Sequence, residues 1–553
     1  MRKKLRTGHL VFVLLFWIGL ASATPGFTSG KHRADSAYDD LVNLFEAWRD
    51  FEKPPLRNGA PDYTRAAMSQ KQQGLKSFQA RLAAIDTSGW SIARQVDYYL
   101  VRAEMNGLDF NIRVLKPWER DPAFYTSVFT SQSDTPAHEG PTHHALVELW
   151  TYTFPLSKAD ESKLAGELKT IPPLLKQART NLTGNARELW IGGTFNLRNQ
   201  ARDLTDLGDK TVETGPAFKQ ALRKAGEATR SFVSWLESQA ASKSGPSGIG
   251  KENYTWQLRN VHLVPLSWQQ EVDLLKRELA RAHTSLRLEE QRNRKVPPLQ
   301  AISSPEEYQR RSNESVTKLM AFLKDKEILP IRSFMDPALR ARIGEFVPEE
   351  KRSFFLTAIH FEPNTLYTHF YHWWDLARMR EMPNASPIRR KALLYNIWDN
   401  RAEGLATAFE EMMMHAGLYD DNPHAREIVW IMLAQRAARG LGTLYAHANM
   451  FSMKQARDFQ VKWTPRGWMR KDLDLLGFEQ LLYMRQPGYG SSYVTGKYLI
   501  DRLFAECSNQ LGDAFNLSKV FEEMNAAGVI PVSLIRWQLT GHDDEIRDLM
   551  NDK

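Results

Sequence analysis

In Leu41-Val42-Asn43-Leu44-Phe45-Glu46-Ala47-Trp48 the apolar side chains at 41, 44, 45 and 48 recur at steps of three and four. That spacing puts them on one face of an amphipathic helix, which Pro54-Pro55 ends. The same interval returns in Val96, Leu100, Met105 and Leu108, in Leu164, Leu168, Ile171 and Leu175, and in Phe218, Leu222, Ala225 and Phe232. Trp268 to Asn293 reads as a long charged helix, and further helices run from Pro387 to the end, punctuated by Pro423, Pro465 and Pro487-Gly488. Alternating β-branched runs are scarce and no fixed-period repeat occurs, so the expected fold is all-α and is not a solenoid. Residues 242–251, rich in Ser and Gly, read as a flexible break. The break divides an N-terminal helical lobe (24–241) from a C-terminal helical lobe (252–553), with the cleft between them as the default binding site.

The composition is that of a globular protein, with 42% hydrophobic and 25% charged residues in 553. Cys507 is the single cysteine, which leaves no intramolecular disulfide and no paired-thiolate zinc site. The formal net charge of +8 is distributed unevenly. Arg2, Lys3, Lys4 and Arg6 precede an apolar run from Leu10 to Leu20 and the small-x-small sequence Ala21-Ser22-Ala23. This pattern reads as a signal peptide over residues 1–23 and implies a periplasmic or secreted protein. The apolar run is shorter than the roughly 20 residues a spanning helix needs, and no cysteine follows it for lipidation, so no stable membrane anchor is expected. Removing the leader takes four positive charges and no negative ones, leaving +4. With no dense Lys/Arg stripe interleaved with aromatics, nucleic-acid binding is not expected.

Several blocks then carry a family likeness. Trp118-Glu-Arg-Asp121-Pro122-Ala-Phe-Tyr125, Gly250-Lys-Glu252-Asn-Tyr254 and Glu403-Gly404-Leu-Ala406-Thr-Ala-Phe-Glu410 come first. Arg439 with His447 eight residues on, followed by Phe451-Ser452 and Gln455-Ala456, and Pro487-Gly488-Tyr-Gly-Ser-Ser492-Tyr493-Val-Thr-Gly496 complete the series. In order and content they resemble the bacterial domain-of-unknown-function family 885, over nearly the whole mature chain. The resemblance implies a large two-lobed helical protein similar to gluzincin-type helical zinc peptidases. It also implies a zinc site made by a His-Glu-x-x-Pro-Gly-His segment and the Glu that opens Glu-Gly-Trp-Ala some 30-odd residues later.

This chain departs from that pattern where the chemistry lies. The corresponding segment is His369-Phe370-Tyr371-His372-Trp373-Trp374-Asp375, and Glu403 follows His369 by 34 residues. His369 and Glu403 keep their places, Phe370 replaces the Glu that would serve as general base, Trp373-Trp374 replaces Pro-Gly, and Asp375 replaces the second His. A hydrolytic zinc site needs three protein ligands, an open position for water, and a carboxylate within reach of that water. Phenylalanine supplies neither ligand nor base. Without Pro-Gly the helix is expected to continue, and on a continuous helix residues 369 and 375 lie about 120° apart while 369 and 372 lie about 60° apart. His372 therefore enters as a substitute ligand, and Asp375 would ligate only if the helix bent. The plain alternative is a ring-rich helix from Tyr367 to Trp374 with its histidines hydrogen-bonded in the core.

The metal candidates are thus His369, Glu403, Asp375 and His372. The family likeness implies that Tyr493 and His447 face the substrate and stabilise an oxyanion, and Arg439 is a further catalytic candidate whose plain reading is a solvated or paired arginine. Glu410 and Glu411 are nominal bases, and the bland expectation for Glu403 and Glu410 is neutralisation by arginines such as Arg401. Two functions follow. One is a catalytically impaired or inactive relative that binds peptide or protein in the inter-lobe cleft, without zinc if the site is vestigial. The other is a zinc-dependent peptidase-like hydrolase with a remodelled site.

Overall fold

A computed structural model of the protein describes residues 27–136 and 146–551, so the expected leader over residues 1–23 lies outside the described residues. Helices account for nearly all regular structure. Among the described residues the sheet content is two short pairs, Leu56–Arg57 antiparallel to Ala60–Pro61 and Val128–Phe129 parallel to Val147–Glu148. The all-α class holds, and no described helix is long and apolar enough to cross a membrane.

The first helix, Phe27–Glu52, stops just before Pro54 and buries Leu41, Leu44, Phe45 and Trp48, as their spacing requires. Trp48 donates its indole N–H to Glu104 at 2.9 Å, and Arg49 forks onto the same carboxylate at 2.7 and 3.0 Å, which locks this helix to the helix Ile92–Phe110. The apolar series Leu164 to Leu175 belongs to two helices, Lys158–Leu168 and Ile171–Asn181, because Pro172 and Pro173 lack amide hydrogens and fit only a first turn.

Six helices build the centre of the C-terminal lobe: α1 (Trp268–Asn293), α2 (Tyr371–Glu381), α3 (Asp399–Ala416), α4 (Pro423–His447), α5 (Asp474–Arg485) and α6 (Tyr489–Leu511). A capping box between Ser267 and Gln270 starts α1 where the charged run begins. Helices α3 and α6 approach to backbone contact through a pair of glycines. A Cβ on Gly404 would sit 2.4 Å from the Gly496 Cα, and one on Gly496 would sit 2.1 Å from the Asn400 carbonyl oxygen. Gly490 performs the same service against α4, where a Cβ would meet the Thr443 hydroxyl at 2.8 Å.

Residues 242–251 are not the flexible break that their composition predicts. The Ser247 hydroxyl accepts the amides of Glu188 and Leu189 at the start of the helix Arg187–Lys210, the Gly248 amide donates to the Asn449 side chain, and the Gly250 amide donates to the His447 carbonyl. Small residues here permit close packing, and the main buried core runs from Leu41 to Leu549 across both lobes, with a second small cluster of Ala186, Leu189, Ala446, Ala456 and Met484.

His447 belongs to this seam and not to a substrate site. Its Nε2–H donates to the Tyr483 carbonyl at 2.9 Å, its ring lies 5.4 Å from that of Tyr254, and burial pushes its pKa down to about 4. An unfolded histidine titrates near 6.5, so as pH falls the unfolded chain takes up this proton first. Stability worth about 3 kcal/mol is therefore lost between roughly pH 6.5 and pH 4. Denaturant titrations at about pH 7 and about pH 4.5 should show a shallower pH slope for His447→Gln than for wild type, and equal slopes would assign the titration elsewhere. Gly496→Ala should cost about 3 kcal/mol in the same titrations, because the methyl has only backbone to push against; a cost near zero would contradict the close approach of α3 and α6.

Candidate metal centre

The expected uninterrupted helix is broken between the two histidines. A short helical turn, Asn364–Tyr367, gives way to a turn over residues 368–370 before α2 begins at Tyr371. The Phe370 amide is shared between the carbonyls of Leu366 and Tyr367, its ψ opens to 16°, and its own carbonyl accepts the Trp373 amide at 3.0 Å. Anchors on either side hold the break without Pro-Gly. Trp374 donates its indole N–H to the Met335 carbonyl at 3.0 Å, and the Tyr371 hydroxyl exchanges hydrogen bonds with the Asn525 side chain. His369 thus stands in a turn and His372 in the first turn of a new helix, with their rings perpendicular at 5.0 Å.

Glu403 on α3 meets both rings. Its Oε2 lies 3.0 Å from His372 Nε2 and 3.6 Å from His369 Nε2, while its Oε1 accepts the Tyr489 hydroxyl at 2.6 Å. The three donor groups are buried, and their ligand atoms lie within 4.8 Å of one another. Zinc takes His nitrogen and carboxylate oxygen at about 2.0–2.2 Å, which makes the edge of its tetrahedron roughly 3.4 Å. The observed separations of 3.0 and 3.6 Å bracket that edge. Residue types and spacing therefore fit a divalent ion held by His369, His372 and Glu403.

The far side of His369 is fixed as a ligand requires. Its Nδ1 lies 3.0 Å from Glu410 Oε1, and Arg436 forks onto Glu410 at 2.6 and 2.7 Å. Arg436 Nη2 also stands 3.2 Å from Nδ1. A guanidinium only donates, so Nδ1 either accepts from Arg436, with the ring proton on Nε2 toward Glu403, or donates to Glu410, which leaves the Nε2 lone pair open to an ion. Burial alone would lower the His372 pKa, but the Glu403 carboxylate more than offsets it and lifts it to about 9. Burial pushes the Glu403 carboxyl up, and the two imidazoles outweigh it, holding it well below the usual range.

Of the other expected residues, Tyr493 stacks on His369 with ring centroids 6.0 Å apart, and the Arg439 guanidinium lies 4.1 Å over the Tyr493 ring. Arg439 is anchored by Glu479 at 2.8 Å. Asp375 is turned away from the centre and holds Arg401 through two contacts of 3.1 and 3.2 Å, so it is no ligand, and Arg401 is not the partner of Glu403 or Glu410. His447, as described, lies in the lobe seam. Glu410 is committed to Arg436 and His369, and Glu411 to Arg281 and Lys497, so neither nominal base is free.

Three groups at the centre escaped the sequence reading. Tyr489 lies inside the Pro487–Gly496 block and was open to discovery there. Arg436 is one helical turn before Arg439 on α4. Asp134 had no local signal: it comes from the N-terminal lobe, its charge is coupled to those of His372, Glu403 and His369, and burial raises its pKa against the pull of His372. Its segment is pinned to the C-terminal lobe by Arg342, which donates to Gln132 at 2.9 Å and lies 3.4 Å over the Trp373 ring.

Comparison with known proteins agrees with the helical architecture. A family model described as bacterial protein of unknown function, DUF885, matches residues 52–337. A candidate lipoprotein of unknown function from Shewanella oneidensis superposes with a TM-score of 0.66 at 16% identity, covering 92% of this chain and 98% of that one. A candidate lipoprotein from Colwellia psychrerythraea gives 0.59 at 14% identity, covering 95% and 100%. At these identities the two structures share the fold alone, and no curated protein matches the sequence. The matched family model spans more than half of the residues, and the chain belongs to the DUF885 family of bacterial proteins of unknown function.

Proposed function

We propose that the protein is an extracytoplasmic zinc-binding relative of helical peptidases that receives a peptide or protein segment where its two lobes meet, with hydrolytic power well below that of a complete metallopeptidase. The convergence of His369, His372 and Glu403 on one point carries the reading. The leader pattern in residues 1–23 and the lipoprotein description of two structural relatives support the extracytoplasmic setting. A zinc ion held by these ligands supplies Lewis acidity toward a carbonyl or a water. The chain's own contribution is to orient and to exclude solvent. Glu410 holds the far side of the His369 ring, Tyr489 fixes the Glu403 rotamer, and Tyr493, with the Arg439 guanidinium over its ring, offers a hydroxyl beside the ligands. Proton removal from water is the missing part, because Phe370 is inert and Glu410 and Glu411 are engaged.

One observation favours the hydrolase reading. Asp134 is a carboxylate near the ligands with its pKa raised by burial, the condition of a workable general base. It would take the role that Phe370 has vacated, from the opposite lobe.

Metal analysis of purified protein should find about one zinc per chain, lost in His369→Ala, His372→Ala and Glu403→Ala and kept in Asp375→Asn. Zinc that survives all three ligand variants would place it elsewhere. A peptide-hydrolysis screen of the zinc-loaded protein separates the two readings. No turnover above background supports the binding protein, whereas turnover that falls about 100-fold in Asp134→Asn with zinc retained makes it a hydrolase with a relocated base.

A further inference from the structure

A cleft of about 450 Å³ runs between α2 and the short helix Met335–Arg340, and neither His369, His372 nor Glu403 lines it. A volume of several hundred Å³ is that of a ligand site. Trp373, Ala377 and Arg380, at steps of four and three, line it from one face of α2, and Phe334 and Pro337 line it from the other side. Gln132 comes from the N-terminal lobe and every other lining residue from the C-terminal one, so the cleft lies at the junction of the lobes. The Arg342 guanidinium is fixed on this lining from two directions. Its Nη2 donates to Gln132 at 2.9 Å, and its central carbon lies 3.4 Å over the Trp373 ring. Both partners line the cleft, so the charged head of Arg342, and not its stem alone, stands at the wall.

That charge has no counterpart in the cleft. Arg342 is half-buried and forms no ion pair among the described residues. Its Nε is buried without a partner, while Nη1, also unbonded among the described residues, is not buried. The other two charges on the lining, Arg380 and Glu381, are exposed and answer each other at 2.8 Å. The charge of Asp134 acts on Arg342 from beyond ion-pair distance, and it acts on His372 as well, which makes the cleft a neighbour of the metal centre. A guanidinium stacked on an indole is held in one plane, and its open N–H edge is set for a carboxylate. Resting on the reading of the lobe junction as a peptide site, we infer that this cleft is the subsite that takes a carboxylate of the bound peptide onto Arg342, with the adjoining peptide chain against Trp373 and Phe334. The carboxylate is that of the peptide's C-terminus or of an acidic side chain.

Calorimetric titrations of the purified protein, repeated with a metal chelator present, test the assignment with three peptides. These are N-acetylated trialanine with a free C-terminal carboxylate, its C-terminal amide, and an acetylated, amidated tripeptide with a central aspartate. At least one of the two carboxylate peptides should bind about tenfold or more tightly than the uncharged amide, and which of them does so identifies the source of the carboxylate. The preference should fall below about twofold in Arg342→Gln and persist in Arg380→Gln, whose charge is already answered by Glu381. The comparison of peptides on wild type needs no variant, so it stands even where Arg342→Gln disturbs the fold. Equal binding of all three peptides would overturn the inference and leave the peptide site in place, as would a preference that survives in folded Arg342→Gln. No binding of any peptide would overturn it together with the peptide reading, while the zinc content of the same protein would still decide the metal centre.

Discussion

Backbone contact between α3 and α6 at Gly404 and Gly496 is the constraint on which the centre depends. With both Cβ atoms absent, the Glu403 side chain, one residue from the contact, comes within reach of the Tyr489 hydroxyl at 2.6 Å. The same sinking of α6 brings Tyr493 onto the His369 ring. Gly490 lets α6 settle against Thr443 of α4, so the helix is wedged between the two that supply Glu403, Arg436 and Arg439. A tight glycine contact in a helix interior costs about 1 kcal/mol of propensity per residue, and the return is the close approach of α3 and α6.

Around that wedge the buried charges are arranged in ion pairs. Arg401 pairs with Asp375, Arg436 with Glu410, and Arg439 with Glu479. Buried ion pairs contribute little net stability compared with apolar side chains of the same size, but removing one partner strands a charge at several kcal/mol. The pairs therefore act as fixed struts more than as adhesive. They also decide which carboxylates remain chemically active. Asp375 and Glu410 are held by arginines, Glu411 is claimed by Arg281 and Lys497, and Glu403 faces both imidazoles with one oxygen.

Much of this was legible in the sequence because it is written in local periods. Steps of three and four locate the first helix and bury Leu41 and Trp48, and the 34-residue interval from His369 to Glu403 survives as a real contact. The wheel angle between 369 and 372 also picks His372 over Asp375. The reason is only half right, since the chain turns at Phe370 where a continuous helix was expected. Nothing local announces that turn. It is imposed by the distant anchors of Tyr371 on Asn525 and Trp374 on Met335, and a sequence pattern does not carry such contacts. Residues 242–251 fail in the opposite direction: small residues were read as freedom when they serve close packing. Asp134 lies in another lobe, so only the folded arrangement could bring it to the histidines.

A structural zinc and a working zinc place different demands on the protein that holds them, and the surroundings of these ligands resemble the second case. In a small zinc-stapled domain the ion organises the ligands, and the chain unfolds when it is removed. Here each ligand is positioned by protein bonds of its own. His369 is set by Glu410, Glu403 by Tyr489, and His372 by the first turn of α2 and by Glu403 itself. The charges also balance without an ion, since His372, with its pKa at about 9, is protonated at neutral pH opposite an ionised Glu403. A core that runs unbroken from Leu41 to Leu549 has no need of a metal to close it. The three side chains are consequently preorganised by the protein itself, each held by bonds that do not depend on an ion.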